Sequence, residues 1–295
     1  MKAPKLFKER PPLSPDRAAV LAGIEEKERL GGEAFFENVE NDPDHPPLTP
    51  DMVDYLCKKP ASKLRRRMAY AMRARMSKMA KAHYNMQVVG EENLKGLENT
   101  GLIFTSNHFS PFESEIVRMA SLKVGGKHRF HAVTREGNFF MEGPFGFLLK
   151  YCDTLPLSQD VGTMRLFSRA VSTLLEEKAH ILIYPEQSMW FHYRKPRPLR
   201  EGPFRIAAKQ GVPVVPCFVT LHDCGDWEEN GMPHVHYTLH ILPPLFPDPE
   251  KSVRENSREM LSRNQALTRQ VYEETYGVPL TFSYNEHDGG FLGEE

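Results

Sequence analysis

His108 and Glu113, five positions apart, have the residue types needed to draw a proton off a hydroxyl. The imidazole can take the proton, and the carboxylate can fix the ring's tautomer and orientation. Both lie in the run Asn107-His108-Phe109-Ser110-Pro111-Phe112-Glu113, and a second carboxylate stands further along in Tyr184-Pro185-Glu186-Gln187-Ser188. Each run follows a short apolar segment, Gly101 to Ser106 in one case and His180 to Tyr184 in the other. Such segments, branched or aromatic and closed by turn formers, read as buried strands. Catalytic groups collect at strand ends of this kind in α/β sheets.

Ser110-Pro111-Phe112-Glu113 also has the form of a capping box with proline at the first helical position, which predicts a helix starting at Ser110. Residues five apart on a regular helix point about 140° away from each other. His108 must therefore sit just outside the helix if the two side chains are to meet. From there Glu113 could accept its Nδ1–H while Nε2 faces a substrate. The plainer alternative is that Glu113 only caps the helix and His108 is a polar loop residue.

Further pieces follow in order. Val89-Gly90-Glu91-Glu92-Asn93-Leu94 precedes the first run; Thr134-Arg135-Glu136, Gly143-Pro144-Phe145-Gly146 and Leu155-Pro156-Leu157 come after it. Tyr184 to Met189, Arg200-Glu201-Gly202 and Val212-Pro213-Val214-Val215-Pro216 complete the series. Over about residues 86 to 245 this pattern resembles the glycerolipid acyltransferase superfamily, typified by 1-acylglycerol-3-phosphate acyltransferase. The family's Asn-His-x-Ser-x-x-Asp block appears as Asn107 to Glu113, and its Phe-Pro-Glu-Gly-Thr-Arg block as Tyr184 to Met189. The resemblance implies direct transfer of an acyl group from a thioester, acyl-CoA or acyl-carrier-protein, to a hydroxyl of a lysophospholipid or glycerol-phosphate-type acceptor. His108 would be the general base and Glu113 its partner. Asn107, Ser110, Arg135, Glu136, Glu186, Gln187 and Ser188 would line the substrate site, with Glu186 orienting the acceptor's hydroxyls. No cofactor is expected beyond the donor, and no Gly-x-Ser-x-Gly elbow suggests an acyl-serine.

Three departures from the family pattern matter. Glu113 stands in place of aspartate, Gln187 in place of a glycine, and Met189 in place of the arginine used on the acceptor phosphate. Arg194 and Arg197, in the following Trp190 to Arg197 loop, are candidate replacements, with Arg135 as a third. A planar guanidinium suits a phosphate because it donates two parallel hydrogen bonds. A solvated basic loop is the alternative.

The 295 residues carry 38 basic and 39 acidic side chains, so near-neutral charge gives no sign of a nucleic-acid partner. No apolar run approaches the ~20 residues of a membrane span, and Met1 to Lys8 lacks the apolar core of a signal peptide. Cys57, Cys152, Cys217 and Cys224 form no C-x-x-C pair and read as reduced thiols of a cytosolic protein. Residues 1–50 are a Pro-rich extension with one short helix expected near Arg17 to Leu30. This extension is either poorly ordered or wrapped on the main domain through Phe35 and Phe36. Residues 51–86 form a basic helical segment, and 87–295 the acyltransferase domain. Strands are predicted over 102–106, 130–134, 180–184, 212–219 and 235–242, and helices over 111–122, 143–151, 161–178, 202–210 and 252–276. This alternation predicts an α/β fold, a mostly parallel sheet flanked by helices with an antiparallel addition near the end.

Lys58 to Met86 contains no acidic residue. Its cations include Lys63, Arg65, Arg66, Arg67 and Arg73, and Leu64, Met68, Met72, Met76 and Met79 recur at three- and four-residue spacing. A helix lying on an anionic bilayer is built this way, which would make the protein peripheral on the inner face of the membrane. Docking of this helix on the catalytic domain is the alternative, and acidic acyl carrier protein could also use the patch. His234 and His236 share one face of a strand with His222 and Cys224 nearby, a spacing that suits zinc but is common by chance, so no metal is expected. Two other functions use the same residues: a thioester or lipid hydrolase, in which water replaces the acceptor, and a non-catalytic acyl-lipid or membrane-binding module.

Overall fold

A computed structural model of the protein describes residues 5–40, 44–125 and 130–283; the end of the chain assigned to the catalytic domain, 284–295, and the Met1 to Pro4 part of the N-terminal run lie outside them. An eight-stranded sheet runs through the molecule. Its strands are β1 (Leu6–Phe7), β2 (Gln87–Val89), β3 (Leu102–Thr105), β4 (Phe130–Thr134), β5 (Thr154–Pro156), β6 (His180–Ile183), β7 (Val214–Glu228) and β8 (Pro233–Ile241), in the order β2-β8-β7-β3-β6-β4-β5 with β1 beside β7. From β7 to β5 every pairing is parallel, whereas β7 and β8 form an antiparallel hairpin. The parallel strands are mostly apolar, as strands covered on both faces are: Leu102, Ile103, Phe104, Ile181 and Leu182 are fully buried.

Helices α1 (Pro15–Leu30), α2 (Pro60–His83), α3 (Glu113–Lys123), α4 (Glu136–Phe140), α5 (Gly143–Tyr151), α6 (Val161–Glu176), α7 (Gly202–Gln210) and α8 (Val253–Tyr276) accompany the sheet. One apolar core joins α3 to β3 and the β7–β8 hairpin through Phe104, Ile116, Val117, Tyr237 and Leu239. A second joins α6 and α7 to β6 through Phe167, Val171, Ile181 and Phe204. Helices α6 and α8 have the N-caps their sequences signal. Asp160 accepts from Thr163 N, and Ser252 with Glu255 forms a complete capping box.

The predicted capping box at Ser110 does not form. The helix begins three residues later, at Glu113, with Phe112 at its N-cap and no side-chain cap. Ser110 Oγ instead accepts from Phe112 N at 3.2 Å and pairs with the Tyr237 hydroxyl at 3.1 Å. A side chain drawn into the core by a buried tyrosine cannot also cap the helix. Glu113 is thereby released to turn back toward His108.

The N-terminal extension wraps the main domain. Phe35 is buried against Trp190, with ring centroids 5.8 Å apart, and Trp190 Nε1 donates to Glu37 O at 2.9 Å. Glu28 on α1 forms a fully buried ion pair with Lys195 at 2.6 Å.

Candidate active site

Strands β3, β6 and β4 are parallel neighbours, with Thr105 level with Ile183 and Ala132 level with Leu182. Their carboxyl ends therefore share one edge of the sheet. His108, Glu186 and Arg135 follow those three ends within a few residues. At this edge His108 Nδ1 makes a short hydrogen bond to Glu113 Oε1. The His108 side chain is 22% exposed, the Glu113 side chain 1%. Nε2 has no hydrogen-bond partner among the described residues. The carboxylate is thus withdrawn from solvent at the first turn of α3, where the helix N-terminus favours negative charge, and the imidazole presents one nitrogen outward.

The backbone of His108 is held from two sides. Its N–H donates to Glu186 Oε2 at 3.1 Å, and its carbonyl accepts from Trp190 N at 3.0 Å. Next to it, His192 N donates to Phe109 O at 3.0 Å, so the loop after β6 lies along the loop after β3 like a strand. Tyr184 stacks on the His108 ring at 4.0 Å between centroids and 10° between planes. Burial, and then the nearby Glu113 carboxylate, push the Tyr184 phenol well above its ordinary pKa, so it stays neutral. The sequence reading gave Tyr184 no role, because its contact with His108 depends on β3 and β6 being neighbours.

The other expected site residues divide sharply. Asn107 is buried and pairs with the backbone of β7 in both directions, accepting from Val219 N at 2.8 Å and donating to Val219 O at 3.0 Å. Glu136 is also buried. It accepts from Leu48 N at 2.5 Å and Ser158 Oγ at 3.1 Å, and so fastens the N-terminal extension. Glu186 binds Arg197 through N at 3.0 Å and through Nη2 at 3.0 Å. Arg197, expected on an acceptor phosphate, is fully buried, with Ser188 Oγ and Phe35 O as further partners at 2.9 and 2.7 Å. Arg194, the other expected replacement, is buried and grips both oxygens of Asp223 at 2.8 and 2.9 Å. The loop is therefore neither the solvated basic segment nor the open phosphate cradle that its composition suggests. Trp190 and the wrapped extension cover it.

Arg135 is partly exposed at the end of β4 and donates to Asn38 Oδ1. Gln187 is exposed at φ +66°, a left-handed conformation that explains the family's glycine at this place. Gly146 on α5 is required by close approach, since a Cβ there would collide with the Met141 carbonyl.

On α2, Ala69 and Ala80 are buried, Tyr70 donates to Asp153 Oδ2 at 2.5 Å and Ser77 to Glu115 Oε2 at 2.5 Å, so this helix docks on the domain. Arg66, expected on a membrane, turns inward to Asp153 at 3.6 Å. Arg73 lies over the Tyr70 ring at 4.9 Å. Met72 and Met76 are half-buried, while Lys63, Arg65 and Arg67 are exposed, as are Leu64 at 61% and Met68 at 57%.

The chain thus presents a largely parallel α/β sheet with a histidine–carboxylate pair at the carboxyl edge of its strands. Residues 85–220 match the family described as Acyltransferase. The crystal structure of the 1-acyl-sn-glycerophosphate (LPA) acyltransferase PlsC from Thermotoga maritima is similar, at 18% identity over 75% of this chain and 86% of that one, with a TM-score of 0.49. No curated protein matches the chain.

Proposed function

We propose that the protein moves a fatty acyl group from a thioester to a hydroxyl of a glycerophosphate-type acceptor. The observation that carries this reading is the bond from His108 Nδ1 to the buried Glu113 carboxylate, with Nε2 left to the substrate side. Nε2 takes the acceptor's hydroxyl proton as its oxygen attacks the thioester carbon, and Glu113 stabilises the imidazolium that results. The thiolate then leaves with a proton returned by the ring. Glu186 acts from behind, by fixing the His108 backbone. Arg135 is the cation assigned to the acceptor phosphate, since Arg194 and Arg197 are engaged inside the protein.

The exposed Leu64 and Met68, flanked by exposed Lys63, Arg65 and Arg67, favour a peripheral position on an anionic bilayer. No described helix is long and apolar enough to cross one. Reversing Arg65 and Arg67 to Glu should release the protein from anionic vesicles, each charge contributing about 1 kcal/mol near such a surface.

The decisive experiment supplies labelled acyl-CoA or acyl-carrier-protein with a panel of lysolipids and analyses the products. A doubly acylated lipid, formed only when donor and phosphate-bearing acceptor are both present, is the expected result. Free fatty acid as the sole product would make the protein a hydrolase. Acyl-lipid binding without turnover would make it a binding module.

A further inference from the structure

A second cluster of reactive side chains lies where the tip of the β7–β8 hairpin meets the end of α2. His83 Nε2 and His234 Nδ1 both lie 2.8 Å from the same atom, Glu228 Oε1. The His83 and His234 rings are 4.5 Å apart between centroids, and His236 lies 5.6 Å beyond His234. Ligand-type atoms of His83, Glu228 and His234 fall within 4.8 Å of one another, and those of Cys224, His234 and His236 do the same. The mechanism above uses none of these groups.

We propose that His83, Glu228 and His234 form a binding site for a divalent transition metal of the zinc type. Two imidazoles and a carboxylate are a donor set that zinc takes with a fourth position left to water. Three features favour this set over Cys224-His234-His236. One ring nitrogen of the other set is already approached by a neighbour, since Asn85 Nδ2 lies 3.4 Å from His236 Nδ1. The three donor atoms already converge on one point, so a cation entering between them needs only small side-chain shifts. The donors also come from separate parts of the chain, the last residue of α2 on one side and the hairpin on the other.

When the metal enters, His83 Nε2 and His234 Nδ1 each give a lone pair. The proton that each of these nitrogens now directs at Glu228 moves to the other nitrogen of its own ring. The bound ion would staple α2, with its exposed cations, to the sheet. Its role is structural, since among the described residues His83, Glu228 and His234 bond to one another and not to His108 or Glu113.

The test uses the full chain, expressed without a histidine tag, stripped with chelator and dialysed against Zn2+. Elemental analysis should find close to one zinc per chain. The melting temperature should rise by about 4 °C at a zinc concentration some 100 times Kd, and Co2+ should give the visible absorption of a four-coordinate ion. H83Q and H234Q should each lose the stoichiometric zinc and the thermal shift, with the circular dichroism of the metal-free protein unchanged, while C224S retains both. Substoichiometric zinc and an unmoved melting temperature in the wild-type chain would overturn the proposal and leave a hydrogen-bonded histidine–glutamate cluster. Loss of zinc in C224S with retention in H83Q would overturn this ligand set in favour of the neighbouring one.

Discussion

Two carboxylates stand at the same edge of the sheet, each beside a nitrogen base, and they are used in opposite ways. Glu113 holds one nitrogen of His108 and leaves the other uncommitted. Glu186 and Arg197 hold each other, and their remaining polar atoms, Arg197 Nε excepted, go to His108 N, Ser188 and Phe35 O. The first pair keeps one site open for chemistry. The second spends its hydrogen-bonding capacity inside the fold and becomes the support on which the first is mounted. A charged residue in a motif thus reveals its role by how many of its donors and acceptors the protein itself has filled.

The largest expected effect separates the two pairs by readout. His108→Ala should lower acyl transfer by about 10²–10⁴-fold with unchanged circular dichroism, and Glu113→Gln should also lose most turnover per folded molecule. Activity within a few-fold of wild type in the His108 variant would remove the distinction. Arg197→Ala should act first on stability, by ~3–5 kcal/mol, because it leaves Glu186 charged, buried and unpaired. Thermal melts beside acceptor kinetics test this. A raised KM at an unchanged melting temperature would instead make Arg197 a ligand contact.

A smaller effect concerns pH. Burial, reinforced by Arg194, holds the His192 pKa down at about 3. The unfolded chain takes up a proton near pH 6.5 that the folded protein refuses, so stability falls as pH drops from about 6.5 toward 3. Denaturant melts across this range should show the slope reduced in His192→Gln. An equal slope in both proteins would assign the acid sensitivity elsewhere. Smallest is Gln187→Gly, which relieves a left-handed side-chain residue at some entropic cost and should stabilise by ~0.5 kcal/mol. Its measure is a slightly raised melting temperature, and an unchanged or lower one would show that the hydrogen bond from Arg200 Nε to Gln187 Oε1, 3.4 Å long, outweighs the strain.

Much of the fold was legible in the sequence. The predicted 130–134 strand and the 143–151 and 202–210 helices coincide with β4, α5 and α7, because turn formers bound them and their apolar residues have the right period. The antiparallel addition near the end is the β7–β8 hairpin, although β7 runs on to Glu228. The short β5 and α4 were not foreseen, being too brief to show a period. Within the site, the spacing of His108 and Glu113 allowed their contact, since a loop residue and the first turn of the following helix are neighbours along the chain, and the resemblance of the ordered blocks made it an expectation.

What the sequence determined by itself was local: which residues carry protons, where most strands and helices run, and that the histidine must stand outside its helix. Tertiary structure decided which polar side chains remain available. Ser110 gave up its cap to Tyr237, Arg66 turned to Asp153, and Arg194 and Arg197 found Asp223 and Glu186. Every one of those partners lies on another segment of the chain, and residue type alone does not specify which buried charge will answer another. Burial makes an unpartnered polar group costly, so the fold assigned each of these residues a partner before any substrate could.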